Sequence, residues 1–378
     1  MRILKIANIN NSRNSGMGRV MHSTADELRG LGHTVDLCFS ADVPRLMGGR
    51  GDRFIFPVAL VNAVKHFSQQ HGRYDIVEIH EPSAAWYCYL RRRDKTLPPC
   101  VVMSHGSEEN YWQHRLAFDR ILGHKTSLKS RMLVSMTLLP QVRYSLRHSQ
   151  QVMCLNSLDE RFFRENTGVP EAKISRIQHG VEKRFFLRKE VNENRLPRLL
   201  FVGTWLENKG SCVIPEAYRQ LVRRHPGLHL SLLGTGFPVE TVLSSFHPDV
   251  RSSIIVSPRV DDAQLRAAYA DHDILLLPSF FESWGLVLLE AAAAGLAIVS
   301  GKGGGPLDVF EDHENALLIS AIASSELINA VDSLVEDSRL RKCLADKAQE
   351  RARQFTWFAA AQSHLRAYER AIKVAATE

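Results

Sequence analysis

The run FESWGLVLLEAAAAGLAIVSGKGGGP, Phe281 to Pro306, carries two carboxylates eight positions apart, Glu282 and Glu290, and ends in a cluster of glycines. The preceding ILLLPS, Ile274 to Ser279, has the unbroken apolar character of a strand buried on both faces of a parallel sheet. The alanine-rich run from Leu286 predicts a helix ended by Gly295, and Ala297 to Ser300 predicts the next strand. Ligands of α/β folds gather where a parallel strand hands over to its helix. Glu282 falls in that turn and Glu290 about one turn into the helix. Both are expected to face one crevice, beside N–H groups and a helix dipole that favour anions. Carboxylates accept hydrogen bonds from hydroxyls, and a helix start accepts phosphate. The pattern therefore suits a ligand that is sugar at one end and diphosphate at the other.

The same alternation extends in both directions. Upstream, strands are expected at Ile3–Asn8, Val35–Phe39, Asp75–Ile79, Val101–Met103 and Gln151–Leu155, with a helix at Met17–Arg29. The pattern restarts with strands at Arg198–Val202, His229–Leu233 and Ile254–Val256, and a helix from about Ser211. Such alternation implies right-handed crossovers and parallel sheets. A chain of 378 residues fits two domains better than one core. The boundaries expected are 1–190 and 191–355, with Glu182–Pro197 as a charged linker and a last helix over 356–375. That helix would bury Trp357, Ala361, Leu365, Tyr368 and Ile372. A cleft between the carboxyl ends of the two sheets is the ligand site such an architecture offers.

Composition excludes several classes. No apolar run approaches the roughly 18 to 20 residues that a membrane-spanning helix needs. Cys38, Cys88, Cys100, Cys154, Cys212 and Cys343 show no CxxC spacing, which points to reduced packing residues in a cytoplasmic protein rather than a zinc site. The net charge of +7 is uneven: residues 1–195 hold 30 Lys and Arg against 19 Asp and Glu, the remainder 18 against 22. The first half is the side expected to meet an anionic surface. Within it, Leu128, Met132, Met136 and Leu139 keep helical spacing among Lys125, Lys129, Arg131, Arg143 and Arg147. A basic amphipathic helix of this kind either lies on anionic lipid or packs on a core with a wet basic face.

The chain resembles the family-4 retaining glycosyltransferases of the GT-B fold. The resemblance is carried by PSFFESWGLVLLEAAAAGLAIVSGKGGGP, which matches their E-x7-E signature. SGMGRV (Ser15 to Val20), MSHGSEE (Met103 to Glu109), QHGVEKRFF (Gln178 to Phe186), FVGTWLENKG (Phe201 to Gly210) and LLGTG (Leu232 to Gly236) follow the family's order. It implies two Rossmann-like doubly wound domains, the second holding a nucleotide-sugar donor and the first a saccharide or lipid-linked acceptor, with the last helix, 356–375, crossing back to pack on the first. By the same resemblance Glu282 contacts sugar hydroxyls, Glu290 the ribose, and Lys209 the diphosphate, while His105 lies near the anomeric carbon. Gly203, Thr204, Ser283, Trp284, Gly285 and Leu286 would line the donor site, and Gly16, Met17 and Gly18 a phosphate or acceptor loop. The sequence departs where the family's lysine loop carries a phosphate-binding arginine: Thr204 and Trp205 stand there, with Arg19 and Arg259 as substitutes to be tested.

Breaking a sugar–phosphate bond puts negative charge on the leaving diphosphate, and preorganised donors aimed at it lower the barrier most. Lys209, the N–H groups after Glu282 and those of Gly303 to Gly305 are the donors expected. His80 is a weaker candidate than His105. Asp271-His272-Asp273 imitates a metal-binding DxD motif but straddles a helix end and a buried strand, so it reads as structural. No metal, no cofactor and no nucleic-acid partner are expected. Other classes stay open: a nucleotide-sugar epimerase, a phosphorylase with a pyridoxal phosphate lysine, or a non-catalytic sugar-nucleotide binder. A nicotinamide oxidoreductase is disfavoured because no G-x-G-x-x-G follows the first strand. The expected location is the cytoplasm, with the inner face of a membrane as a peripheral site.

Overall fold

Six parallel strands run through the first part of the chain: β1 (Arg2–Ile6), β2 (Thr34–Cys38), β3 (Ile76–His80), β4 (Cys100–Met103), β5 (Gln151–Cys154) and β6 (Ile174–Arg176). Their order is β2-β1-β3-β4-β5-β6. Six more follow: β7 (Leu199–Val202), β8 (Leu230–Leu233), β9 (Ile254–Ser257), β10 (Ile274–Leu277), β11 (Ala297–Gly301) and β12 (Leu317–Ile319). These pair in parallel in the order β12-β11-β10-β7-β8-β9. The edge strands β6 and β12 have only three residues each, too short to stand out in the sequence. The computed structural model describes residues 1–13, 15–43, 52–188 and 195–378, with backbone only at 52–55. The expected linker falls partly outside these, at 189–194.

The chain divides into two compact units, Met1–His179 with Trp357–Glu378, and Gly180–Thr356. In each, helices cover a sheet whose central strands are buried along their whole length, as Val, Ile and Leu runs in a parallel sheet require. Each sheet has one point where the strand order reverses. In the first unit it lies between β1 and β3; in the second it lies between β7 and β10. Crevices at the carboxyl ends of the strands open at such points.

The last helix, Trp357–Thr377, packs on β3, β4 and β5 and on the helix Gly16–Gly30. Its buried stripe is Trp357, Ala360, Ala361, His364, Ala367, Tyr368 and Ala371. Leu365 and Ile372, expected inside, are only half-buried. The stripe is rotated because His364 and Tyr368 turn inward to a carboxylate of β3, where a polar partner outweighs two aliphatic contacts.

The expected helix after Lys125 is interrupted. Leu128–Leu133 and Leu139–His148 are α-helical, and Val134–Leu138 forms a π turn between them. Its first apolar residues do not face a core: Leu128 and Met136 are each 71% exposed, and Met132 is 53% exposed, whereas Leu138, Val142 and Leu146 further on pack into one. Arg143 is engaged by Glu109, and Arg147 donates to Thr167 O at 2.6 Å. Lys125, Lys129 and Arg131 stay exposed around the apolar face. Among the described residues no helix is long and apolar enough to cross a membrane. Four of the six cysteines are buried, but Cys343 is exposed and is not a packing residue.

Candidate active site

In the second unit, β7 and β10 bring two distant loops together at the reversal point. β7 runs into a turn of 3-10 helix, Glu207–Lys209, ended by Gly210 at φ +105°. A Cβ at Gly210 would lie 2.5 Å from the Pro278 ring, so only glycine lets this turn close on the loop after β10. Asn208 O accepts from Phe280 N–H at 2.9 Å and ties the loops further. The result is an ion pair between Lys209 Nζ and Glu282 Oε2, residues 73 positions apart. Their side chains are 26% and 16% exposed, so the pair stands at the edge of water rather than inside the core. Ser279 Oγ donates to the same carboxylate oxygen at 3.4 Å.

The glycine cluster fixes where Glu282 stands. Glu282 N–H donates to Gly303 O at 3.1 Å, and Gly305 N–H donates to Glu282 O at 2.8 Å. Cβ atoms at Gly301, Gly303 and Gly304 would lie 1.9, 2.4 and 2.2 Å from carbonyl oxygens of Ser279, Phe280 and Glu282. Backbone therefore packs on backbone, which corrects the expectation that all three glycine N–H groups await an anion: that of Gly305 is already engaged. The helix Leu286–Ala293 follows, with Gly285 at its start at φ +82°. Leu286 is half-buried there, like Ser283.

Other expected residues separate by burial. Trp284 is 2% exposed with its ring edge-on to Phe355, so it can offer a ligand only its backbone. Glu290 is 3% exposed and accepts from Tyr269 Oη at 3.1 Å. Unlike Glu282 it does not reach the surface, because the helix turns it toward Tyr269; that tyrosine carries no motif and was not singled out in the sequence. Trp205 stacks on Phe246 and meets Phe201 edge-on, so the residue in the arginine's place belongs to the core. Thr204 is exposed beside it, after Gly203 at φ +146°. Arg259 is exposed just past β9, at the carboxyl edge of the same sheet; Arg19 is buried in the first unit. The two acids of Asp271-His272-Asp273 accept from Arg198 and Arg195, and the histidine bonds Ala268 O and Ser231 Oγ, each at 2.7 Å. Among the described residues no cluster of three or more His, Cys, Asp or Glu is placed to hold a metal ion.

In the first unit His105 follows β4, half-buried in the loop before the helix Glu108–Ile121. Its Nε2 lies 2.7 Å from His80 Nδ1, at the end of β3. His80 Nε2 lies 2.8 Å from Glu78 Oε1. Glu78 is wholly buried and also accepts from Lys5 Nζ at 3.2 Å, from His364 Nδ1 at 3.1 Å and from Tyr368 Oη. Burial opposes its charge, but Lys5 and the histidine N–H donors outweigh burial and hold its carboxyl well below the usual range. Burial pushes His80 down, and His105 further down with His80 and His179 beside it; both are neutral near pH 7. Glu78 and Lys5 could have been suspected as charges inside apolar strands. His364 and Tyr368, 286 and 290 positions from Glu78, could not.

The loop of Gly16, Met17 and Gly18 lies in the same unit. Gly18 N–H donates to the capping Ser15 Oγ at 3.2 Å, and a Cβ there would lie 1.9 Å from Ser12 O. Gly18 thus closes a tight turn, whereas Gly16 has open space around it. Met17 packs against Ala7, Met21 and Phe39.

A family model described as "Glycosyltransferase Family 4" matches residues 14–185, and one described as "Glycosyl transferases group 1" matches residues 182–351. A D-inositol 3-phosphate glycosyltransferase of Corynebacterium kroppenstedtii is 29% identical over 184 residues, which are 46% of this chain and 41% of that protein. The matched stretch thus spans about two fifths of the relative's length. Sucrose-phosphate synthase of Thermosynechococcus elongatus superposes with a TM-score of 0.79 at 19% identity, covering 97% of this chain and 98% of the other. Anabaena Alr3699/HepE, solved with UDP, superposes at 0.71 and 15% identity over 97% and 99%. The two six-stranded parallel sheets are the Rossmann-like units of the GT-B fold.

Proposed function

The chain belongs to the glycosyltransferases, its halves falling in Family 4 and group 1, and from that premise we propose that it moves a hexose from a nucleotide-sugar to a hydroxyl of a saccharide or lipid-linked acceptor, with retention at the anomeric carbon. The observation that carries this reading is the Lys209–Glu282 pair at the reversal point of the second sheet. A pair at the edge of water contributes only about 0 to 1 kcal/mol to folding, so it can exchange partners at little cost. On binding donor, the Lys209 ammonium turns to the diphosphate and the Glu282 carboxylate accepts from sugar hydroxyls. Helix-start N–H groups at Gly285 and Leu286 add neutral donors for the phosphate. The bond from the anomeric carbon to the diphosphate oxygen breaks, the acceptor oxygen bonds to that carbon, and its proton leaves with the departing diphosphate. Glu290, buried against Tyr269, reaches the ribose only by giving up the bond from Tyr269 Oη. Metal is not required in this scheme, because Lys209 and backbone N–H groups meet the departing charge.

Incubation with a panel of nucleotide-sugars, read by mass spectrometry for released nucleoside diphosphate, tests the reading. Turnover of at least one, lowered by about a hundredfold or more in K209A and in E282A, is the expected result; equal turnover in either variant rejects these roles. UDP is the first carrier to try, given the UDP complex of the Anabaena protein.

The acceptor side supports a lipid-linked substrate in growing cell-surface glycan, met from the cytoplasm. Leu128, Met132 and Met136 project beside Lys125, Lys129 and Arg131. A pocket of about 440 Å³ lined by Asp119, Arg120, His124, Lys125 and Arg131 adjoins them. Apolar insertion and basic charge together are what surface binding to anionic lipid requires. Co-sedimentation with vesicles containing anionic lipid, lost when Lys125, Lys129 and Arg131 are neutralised, is expected; no binding by the unaltered chain removes the membrane from the scheme.

A further inference from the structure

Glu78 and His80 are two positions apart on β3, and strand geometry puts alternate side chains on one face. The β1–β3 register sets Lys5 directly beside Glu78. Every bond into the Glu78 carboxylate comes from a donor: Lys5 and His80 at Oε1, His364 and Tyr368 at Oε2. An ionised carboxylate only accepts, so the nitrogen of His80 that faces it must carry hydrogen. A neutral imidazole carries one hydrogen, which leaves His80 Nδ1 bare. Two ring nitrogens 2.7 Å apart need one hydrogen between them, and it must come from His105 Nε2. His105 then has none left for Nδ1, and among the described residues no hydrogen bond reaches that atom.

We infer that Glu78 and His80 are positioning residues that hold His105 with its hydrogen on Nε2, so that its Nδ1 meets the substrate as a pure acceptor and selects a sugar hydroxyl over a phosphate oxygen. A phosphate diester oxygen at neutral pH brings no hydrogen, and two facing lone pairs repel. A hydroxyl brings one. The buried Lys5–Glu78 pair anchors the polarity of this chain, and the last helix closes it through His364 and Tyr368. The identity of the hydroxyl as a sugar's rests on the glycosyltransferase reading above; the placement of the hydrogen does not.

The test is the tautomer of His105 in the full chain labelled with 15N-histidine, read from long-range 1H–15N correlations and assigned with H105Q. The unaltered protein is expected to show Nε2 protonated and Nδ1 pyridine-like. H80L removes the acceptor and should give a mixture of tautomers. H80N returns an oxygen near the former Nδ1 position and should restore the single tautomer. A hydrogen on His105 Nδ1 in the unaltered protein, an imidazolium at His80, or an unchanged single tautomer in H80L overturns the inference. None of these readings needs turnover, so a chain that transfers no sugar leaves them intact. With an accepted donor, H80L should lose about tenfold in kcat/KM, the worth of one hydrogen bond, and H80N should recover most of it. Equal rates in H80L and the unaltered protein overturn the role in substrate selection.

Discussion

Glu78 and Glu282 make a useful pair. Glu78 lies on β3 and Glu282 in the loop after β10, both at their sheet's reversal point, and each accepts from a lysine contributed by the neighbouring strand or its loop. Glu78 is fully buried and surrounded by donors on both oxygens; Glu282 is 16% exposed and has Lys209 and a long contact from Ser279. The difference separates two uses of one side chain. A carboxylate whose every lone pair is engaged in the interior can only orient its neighbours. One with a single movable partner at the water's edge can release that partner and accept a ligand instead.

The sharpest way to break this comparison is to remove each carboxylate. E78A leaves Lys5 buried without its counter-charge and should cost about 3 to 5 kcal/mol of folding stability, read by denaturant unfolding. E282A should cost less than about 1 kcal/mol of stability. If the two variants unfold alike, Glu282 is as structural as Glu78 and the distinction collapses. Turnover should divide the other way for the second site. K209A should lose about a hundredfold to a thousandfold in kcat, the loss typical of removing one donor from a developing oxyanion, while its melting temperature stays near that of the unaltered chain.

A smaller effect tests the scaffold of the second site. G304A puts a Cβ 2.2 Å from Glu282 O at a backbone φ of +76°. The loop must shift or strain, at about 1 to 3 kcal/mol, and Glu282 should move with it. A variant with full stability and full turnover would show that the glycine cluster does not position the carboxylate.

The last effect concerns Glu81, whose carboxyl oxygens are shut from water like those of Glu78 but lack its donors. Neither carboxyl oxygen makes a well-formed hydrogen bond, and burial pushes the group up to about 8. Its folded value lies above its unfolded one, so its contribution to stability is fully present below the unfolded value and is lost as pH rises toward 8. E81Q should therefore gain on the unaltered chain between about pH 5 and 8, by at most about 1.4 kcal/mol per pH unit. Thermal unfolding of both across that range measures it; a constant difference between them removes Glu81 as the cause.

Much of the architecture was legible because parallel strands advertise themselves as short apolar runs between glycines. Ile274–Leu277 lies within the expected Ile274–Ser279, and the helix Leu286–Ala293 begins at the expected residue. The pairing of Lys209 with Glu282 was legible only as two motifs, since contact across 73 residues depends on strand order. The core role of Trp205 is not legible in the sequence, because its ring partners Phe201 and Phe246 are visible only in the fold. The orientation of Leu128, Met132 and Met136 was open for a similar reason: helical spacing defines a face but does not say what covers it. The chain from Glu78 to His105 was hidden most deeply, because its last donors come from the far end of the sequence.

That far end has a consequence for biosynthesis. His364 and Tyr368 leave the ribosome only after all of Gly180–Thr356, so a nascent first unit must hold its interior ion pair with one wall missing. The early half of this protein can condense but cannot mature before the late helix arrives, and a fragment ending at His179 would be a poor candidate for expression by itself.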